Sequence, residues 1–289
     1  MKTLLTFLAI CGVLFSIGFM TPTAYQQNGI TVSKVTDNIY MLQGRGGNIG
    51  VCTGKDGVLM IDDKFANLAE QIKSAVASVH SGDIKYLINT HYHGDHTGGN
   101  EYFGKISTIV AHDNVRKRLQ DPNARGGAKP EGAWPVITFN DAMTFHFNGE
   151  EIQVMHYPNG HTDGDAVIFF KTSNVVHMGD DFFVNRFPYV DLNAGGSVQG
   201  LTKNIESVIS AISSETKIIP GHGPLATIED LKKYHGMLAE TSEMIAKSKQ
   251  AGKTLEEIKS AGLPSKWESW GSGFINTERW IETVFNSLD

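Results

Sequence analysis

Within residues 89–100, NTHYHGDHTGGN, three histidines and one aspartate fall inside six positions. No other feature constrains this chain as strongly. The apolar run DIKYLINT leads straight into it and reads as a buried strand. If the strand direction continues, His91 and His93 point the same way, because alternate strand residues share a face. Gly94 then permits a tight turn, and Asp95 and His96 project from a different backbone direction. One metal ion cannot conveniently take four ligands in two orientations, whereas two neighbouring ions can. A solvated histidine-rich loop would account neither for the apolar strand entering the cluster nor for Gly98 and Gly99 closing it.

Further ligands must come from elsewhere. His161 stands in YPNGHTDGD after EIQVMHY, Asp180 in VVHMGDDFF after another strand, and His222 in IIPGHGP after a third. Each time an apolar strand runs into a glycine-bearing turn that carries a ligand-type residue. That repetition predicts that the three meet the first cluster at one rim. Imidazoles and carboxylates suit Zn²⁺ and do not demand redox chemistry.

The rest of the chain supplies layers for such a rim. Strand patterns recur at ITVSKVTDNIYMLQG, NIGVCTG and GVLMIDD, the last two joined by the turn at Lys55, Asp56 and Gly57. Leu68, Ile72, Val76 and Val79 recur at helical spacing, and Asp113 is placed to cap a helix through NVRKRLQ. Residues 121–135 read as a loop. VITF, MTFHF, EIQVMHY, DAVIFF, NVVHMG and KIIPGHG give a second strand set. Leu201, Ile205, Val208 and Ile212 form one helical face between its last two members. From Thr227 the pattern turns helical, with capping boxes at Thr227/Asp230 and Thr254/Glu257. This predicts an α/β fold with two sheets packed face to face, helices outside, and a helical C-terminal extension.

Residues 1–24 read as a secretory signal peptide: one early lysine, an apolar run, and no acid before Asp37. Residues 25–226 then form the main domain and 227–289 the helical extension. Loss of Lys2 takes the net charge from −6 to −7. Nothing in this acidic balance suggests a nucleic-acid footprint, and no nucleic-acid partner is expected. The expected location is periplasmic or secreted, without stable membrane contact after cleavage. The mature chain keeps only Cys52, so it folds without an internal disulfide. In IGVCTG that thiol reads as a small buried hydrophobe.

HYHGDH matches the H-x-H-x-D-H motif, and the chain from about Thr31 to about Leu225 resembles the metallo-β-lactamase superfamily of binuclear hydrolases. The resemblance implies a four-layer αββα sandwich and two Zn²⁺ per chain, with other divalent metals possible. It gives His91, His93 and His161 to one ion and Asp95, His96 and His222 to the other. Asp180 bridges them, preferred to Asp181 because it follows Gly179. Asp95 and Asp180 carry the catalytic roles, and Asp62 supports the ligands from behind. Two ions about 3.5–4 Å apart can hold a hydroxide that attacks a carbonyl. A bridging aspartate departs from the zinc β-lactamases that use a cysteine there. The implied activity is hydrolysis of a lactam, lactone or related ester or amide in a small-molecule substrate. A thioesterase or phosphodiesterase of the same fold, or an inactive metal-binding protein, are the alternatives.

Asp165 and His112 are further candidates to support ligands, whereas His156 and His177 read as structural histidines. Arg45 to Asn48, the segment around Trp134, and Arg186, Phe187 and Tyr189 are candidate walls of the substrate cleft. Trp267, Trp270, Phe274 and Trp280 belong to a helical cap that either walls the cleft or serves self-association. The sequence leaves oligomeric state open.

Overall fold

The computed structural model describes residues 24–27 and 29–288. The leader read over residues 1–24 lies outside them save for Ala24. Strands β1 (Ala24–Gln27), β2 (Ile30–Lys34), β3 (Ile39–Gln43), β4 (Ile49–Gly54), β5 (Gly57–Ile61), β6 (Ile84–Ile88), β7 (Thr108–His112) and β8 (Ile137–Phe139) stand in chain order in one sheet. The pairs from β1 to β5 are antiparallel, and those from β5 to β8 are parallel. The second sheet runs β13 (Lys217–Ile219), β12 (Val175–His177), β11 (Ala166–Phe170), β10 (Glu150–His156), β9 (Ala142–Phe147). Only its β12–β13 pair is parallel.

Period-two alternation sorts the side chains between the layers. On β5, Leu59 and Ile61 point inward and meet Ile152, Val154 and Ile168 of the second sheet. Val58 and Met60 point outward against Ile72 and Val76 of helix α1 (Ala69–Val79). Every residue of β5 is buried, which explains why its sequence is continuously apolar and not alternating. Truncating an inner residue such as Leu59 to alanine costs roughly 2–5 kcal/mol through the cavity it leaves.

Short helices α2 (Gly94–Thr97), α3 (Asn100–Phe103) and α4 (Asp113–Gln120) follow β6 and β7. On the far side, α5 (Val198–Ala211), α6 (Ile228–Gln250), α7 (Leu255–Ala261) and α8 (Thr277–Ser287) cover the second sheet. The order of layers is thus αββα. The aromatic residues of the C-terminal stretch are mostly internal: Trp280 stacks on Phe187 with centroids 5.6 Å apart, and Trp267 and Trp270 are buried. Thr227 and Thr254 both form complete capping boxes. Among the described residues no helix is long and apolar enough to cross a membrane.

Two local features differ from the sequence expectation. The cap of α4 is His112, whose ring accepts from the Asn114 amide; Asp113 is already inside the helix. Strand β6 ends at Ile88, so His91 and His93 converge from a turn and not from continued strand. Their ring centroids still lie 4.9 Å apart.

Candidate metal centre

The site sits where five strands end. Asp62 follows β5, His91 to His96 follow β6, His161 follows β10, Asp180 follows β12 and His222 follows β13. Carboxyl ends of strands in α/β sheets open onto such crevices. The stretch carrying the four clustered residues is clasped at its own ends. Asn89 and Asn100 exchange two side-chain amide hydrogen bonds of 3.0 and 2.9 Å. Gly94 begins α2 with open space at its missing Cβ, so no tight turn requires a glycine there. The glycines that matter lie opposite: a Cβ on Gly47 would sit 2.1 Å from the His96 ring, and one on Gly221 2.1 Å from Asp180 Oδ1.

The seven residues fall into two groups whose ligand atoms lie within 4.8 Å of one another: His91, His93, His161 and Asp180, and Asp95, His96 and His222. Asp180 spans both. Its Oδ2 faces His161 Nε2 at 3.5 Å and His91 Nε2 at 3.8 Å. Its Oδ1 faces His96 Nε2 at 3.0 Å and His222 Nε2 at 3.3 Å. Despite the 3.0 Å approach, His96 Nε2 and Asp180 Oδ1 lack hydrogen-bond geometry, and both are buried without a partner, as is His91 Nε2. Buried orphaned atoms of this kind are costly unless something fills the space between them. Imidazole nitrogens and carboxylate oxygens gathered this closely fit divalent metal ions.

The outward nitrogens are held. His91 Nδ1 lies 3.0 Å from Thr90 Oγ1, whose hydroxyl donates to Asp62 Oδ2 at 2.8 Å. The hydroxyl hydrogen being committed, His91 Nδ1 donates and Nε2 presents its lone pair inward. His96 Nδ1 meets Asp62 Oδ2 at 2.6 Å, and His161 Nδ1 meets the Tyr189 carbonyl at 2.6 Å. His93 points Nδ1 inward, 2.8 Å from His161 Nε2, and Nε2 outward to Asp191 Oδ2 at 3.0 Å. Such outer contacts fix tautomer and ring orientation. Asp62 is therefore the support inferred from the GVLMIDD strand. It holds a left-handed φ of 62°, and buried Lys64 follows at 58°, strain of the kind that concentrates at sites.

Asp191 and the Tyr189 carbonyl are supports that the sequence does not reveal; Asp191 shows no motif, and a carbonyl has no sequence signature. Asp165 does not touch the His161 ring. It accepts from Thr162 and lies against Asp181, while Asp181 accepts the His161 backbone amide. His112 stacks on His156 at 3.8 Å, away from the cluster. His177 is buried against the Asn48 carbonyl. Burial pushes the Cys52 thiol up to about 12, which leaves it an inert core group.

Electrostatics divide the two groups. Burial lowers His161 to about 3 against the pull of Asp180, and burial followed by the His96 charge holds His91 well below the ordinary range. Burial also opposes charge on His222 and His96, but nearby carboxylates outweigh it. Asp180 and Asp95 raise His222 to about 9, and Asp180, Asp62 and Asp95 raise His96 well above the usual value. Without metal, burial keeps His91 and His161 neutral, whereas the other group is a set of ion pairs.

Asp95 and His222 open onto a cleft of about 560 Å³. Arg45, Gly46, Arg186, Phe187 and Tyr189 line it as inferred; Gly47, packed on the His96 ring, Asn48, bonded to the Pro220 carbonyl, and Trp134, its ring beside Arg116, do not. Phe65, Arg125 and Lys129 line it as well, and Phe274 and Ile275 bring the C-terminal stretch to the same wall.

An αββα sandwich with a two-part ligand cradle at its strand ends is the class of protein defined here. A family model for the metallo-beta-lactamase superfamily matches residues 42–222, and the chain belongs to that superfamily. It is similar to a hydroxyacylglutathione hydrolase of Pelagibacter ubique, 25% identical over 177 residues, 56% of this chain and 64% of the relative. A probable hydroxyacylglutathione hydrolase of Schizosaccharomyces pombe is 26% identical over 148 residues, 48% of each chain. The chain thus spans about half to under two thirds of the length of these relatives. The fold is shared with the metallo-beta-lactamase from Pontibacter korlensis at a TM-score of 0.62 and 17% identity, covering 73% of this chain and 99% of that one.

Proposed function

We propose that the chain is a two-metal hydrolase of an acyl carbonyl in a small molecule: a lactam, lactone, ester or thioester. One observation carries this reading: Asp180 turns one oxygen toward each ligand group, and buried, unpartnered nitrogens of His91 and His96 face it. His91, His93 and His161 would hold one divalent ion, Asp95, His96 and His222 the other, with Asp180 shared. Bound there, zinc or a similar ion supplies Lewis acidity and a water acidic enough to ionise near neutral pH.

The protein's part is orientation. Thr90, Asp62, Asp191 and the Tyr189 carbonyl lock four of the imidazoles from outside. Asp95 is the more exposed carboxylate of the pair, at 28% against 6% for Asp180, and it opens onto the cleft. Its carboxyl is held down at about 2; burial opposes the charge, and His96 and His222 outweigh it. It thus remains an anion at working pH and orients the attacking water from the cleft side. Thioesters join the substrate set because the two relatives are named as hydroxyacylglutathione hydrolases. Export to the periplasm or beyond, expected from residues 1–24, is part of this proposal.

The deciding experiment measures metal content and turnover together. Chelator-stripped chain is reloaded with zinc, iron or manganese and offered lactam, lactone, thioester, aryl ester and phosphodiester substrates. Two ions per chain with metal-restored acyl hydrolysis is the expected result. One ion per chain defeats the two-metal reading, and a fully loaded chain inert to every substrate favours a metal-binding protein without activity.

A further inference from the structure

The cleft beside the centre has a charge that the chain as a whole does not. The net charge is −6. Yet Arg45, Arg125, Lys129 and Arg186 all line the cleft, and among the described residues its only acids are Asp95 and Asp180, which face the histidines. Among the described residues none of these four cations has a carboxylate within ion-pair distance. Outside the cleft lining, by contrast, Arg118 is paired with Asp163 at 2.7 Å.

The local partners of the four differ. Arg45 donates to Asn67 Oδ1 at 2.8 Å and lies 4.7 Å from the Phe65 ring centre. Lys129 donates to the Gly126 carbonyl at 2.7 Å. Arg125 stacks 4.8 Å over Tyr189. Arg186 has no hydrogen-bond partner among the described residues. It is half-buried, and its guanidinium is free to meet a ligand.

Aromatic rings fill the space between these cations and the centre. Tyr189 lies 5.6 Å from the His93 ring and 6.3 Å from Phe274, which is 69% exposed at the mouth. Phe183 stacks on His222 at 5.0 Å. A substrate reaching the centre must therefore pass an aromatic wall with unneutralised guanidinium groups along it. A planar guanidinium matches a carboxylate or sulfonate in two parallel hydrogen bonds.

We infer that the cleft selects amphipathic oxyanions: compounds whose apolar body lies against Tyr189 and Phe274 and whose anionic group is held by Arg186, with Arg125 beside it. This rests on the hydrolase reading for what happens at the centre, but it concerns recognition and is tested by binding. The probes are 4-phenylbutanoate, its primary amide and 3-phenylpropanesulfonate, titrated calorimetrically into zinc-loaded and chelator-treated full-length chain.

Both anions are expected to bind about tenfold tighter than the amide at low salt, the scale of one charge-assisted pairing. The advantage shrinks as salt is added. Arg186→Ala removes most of it while leaving amide binding in place, and Arg186→Lys restores part. Which anion binds tighter separates carboxylate from sulfate-type substrates, and either order supports the proposal. Equal binding of the amide overturns it. So does an anion preference that survives undiminished in the Arg186→Ala/Arg125→Ala double variant, because the metals would then be holding the anion. Thermal unfolding of each variant separates a lost contact from a lost fold. A chain that hydrolyses no substrate would defeat the hydrolase reading, and the anion-against-amide comparison would still decide whether the cleft selects oxyanions.

Discussion

The two ligand groups share Asp180 but are built differently. His91, His93 and His161 are each buried and each pinned by an outer partner: Thr90, Asp191 and the Tyr189 carbonyl. Asp95 and His222 are partly exposed, at 28% and 21%, and only His96 in their group is pinned, by Asp62. The first group is a pre-formed cage in which burial keeps His91 and His161 neutral. The second is held together, without metal, by attraction between imidazolium and carboxylate. The first is ready for an ion; in the second an ion must replace protons. Metal is therefore expected to fill the two positions in order, the buried one first.

The largest effect should come from what they share. Asp180→Asn removes the charge facing both groups, so both affinities should fall and turnover should drop by more than about a hundredfold, beyond the range for an outer support. Metal content after dialysis checks this; two retained ions would break the picture of a shared ligand. Next, the groups can be separated. His222→Ala should leave one tightly held ion, whereas His161→Ala should loosen the first position and with it the order of filling. Identical metal counts and affinities for the two variants would erase the distinction.

How far the sequence reaches is clearest at this comparison. All seven converging residues are legible, because each stands in a turn at the end of an apolar strand and strand ends collect at one rim. The four layers are legible because the apolar period switches between two and 3.6 residues. The supports are less so. Asp62 sits in a recognisable strand end, but Asp191 lies in an irregular segment after Tyr189 whose path depends on the packing of Phe187 against Trp280. The convergence of His91 with His93 comes from a turn, a geometry that alternation along a strand does not describe. Arg125 and Lys129 are hidden in a stretch that reads only as loop, since a loop's sequence does not state which surface it crosses.

Acidity gives the third test. His222 in the metal-free chain is raised to about 9, above an ordinary value near 6.5. Its ion pairs therefore stabilise that form fully below about 6.5, and the contribution is lost as pH rises through about 9. Metal must displace the same proton. Affinity at the second position should climb by about tenfold per pH unit for each proton displaced, up to about pH 9, and loading at pH 7 should release protons to the buffer. The first group, with His161 near 3, should show little such dependence over the same range. Calorimetric titration in buffers of different ionisation enthalpy reads the released protons directly. An equal pH slope at both positions would contradict the division.

The smallest effect tests whether the outer contacts belong to one group each. Asp62 holds His96 and, through Thr90, reaches His91. Asp191 holds only His93 and also accepts from Tyr92 at 2.7 Å. Asp62→Asn should therefore weaken both positions, within the roughly 10–100-fold span of outer supports, and the second more because the charge opposite His96 is gone. Asp191→Asn keeps the shape and an acceptor, so a loss nearer about tenfold is expected, confined to the first position. If Asp191→Asn weakened the second position equally, the two groups would be coupled through more than Asp180, and the order of filling would have to come from exposure rather than from how the imidazoles are pinned.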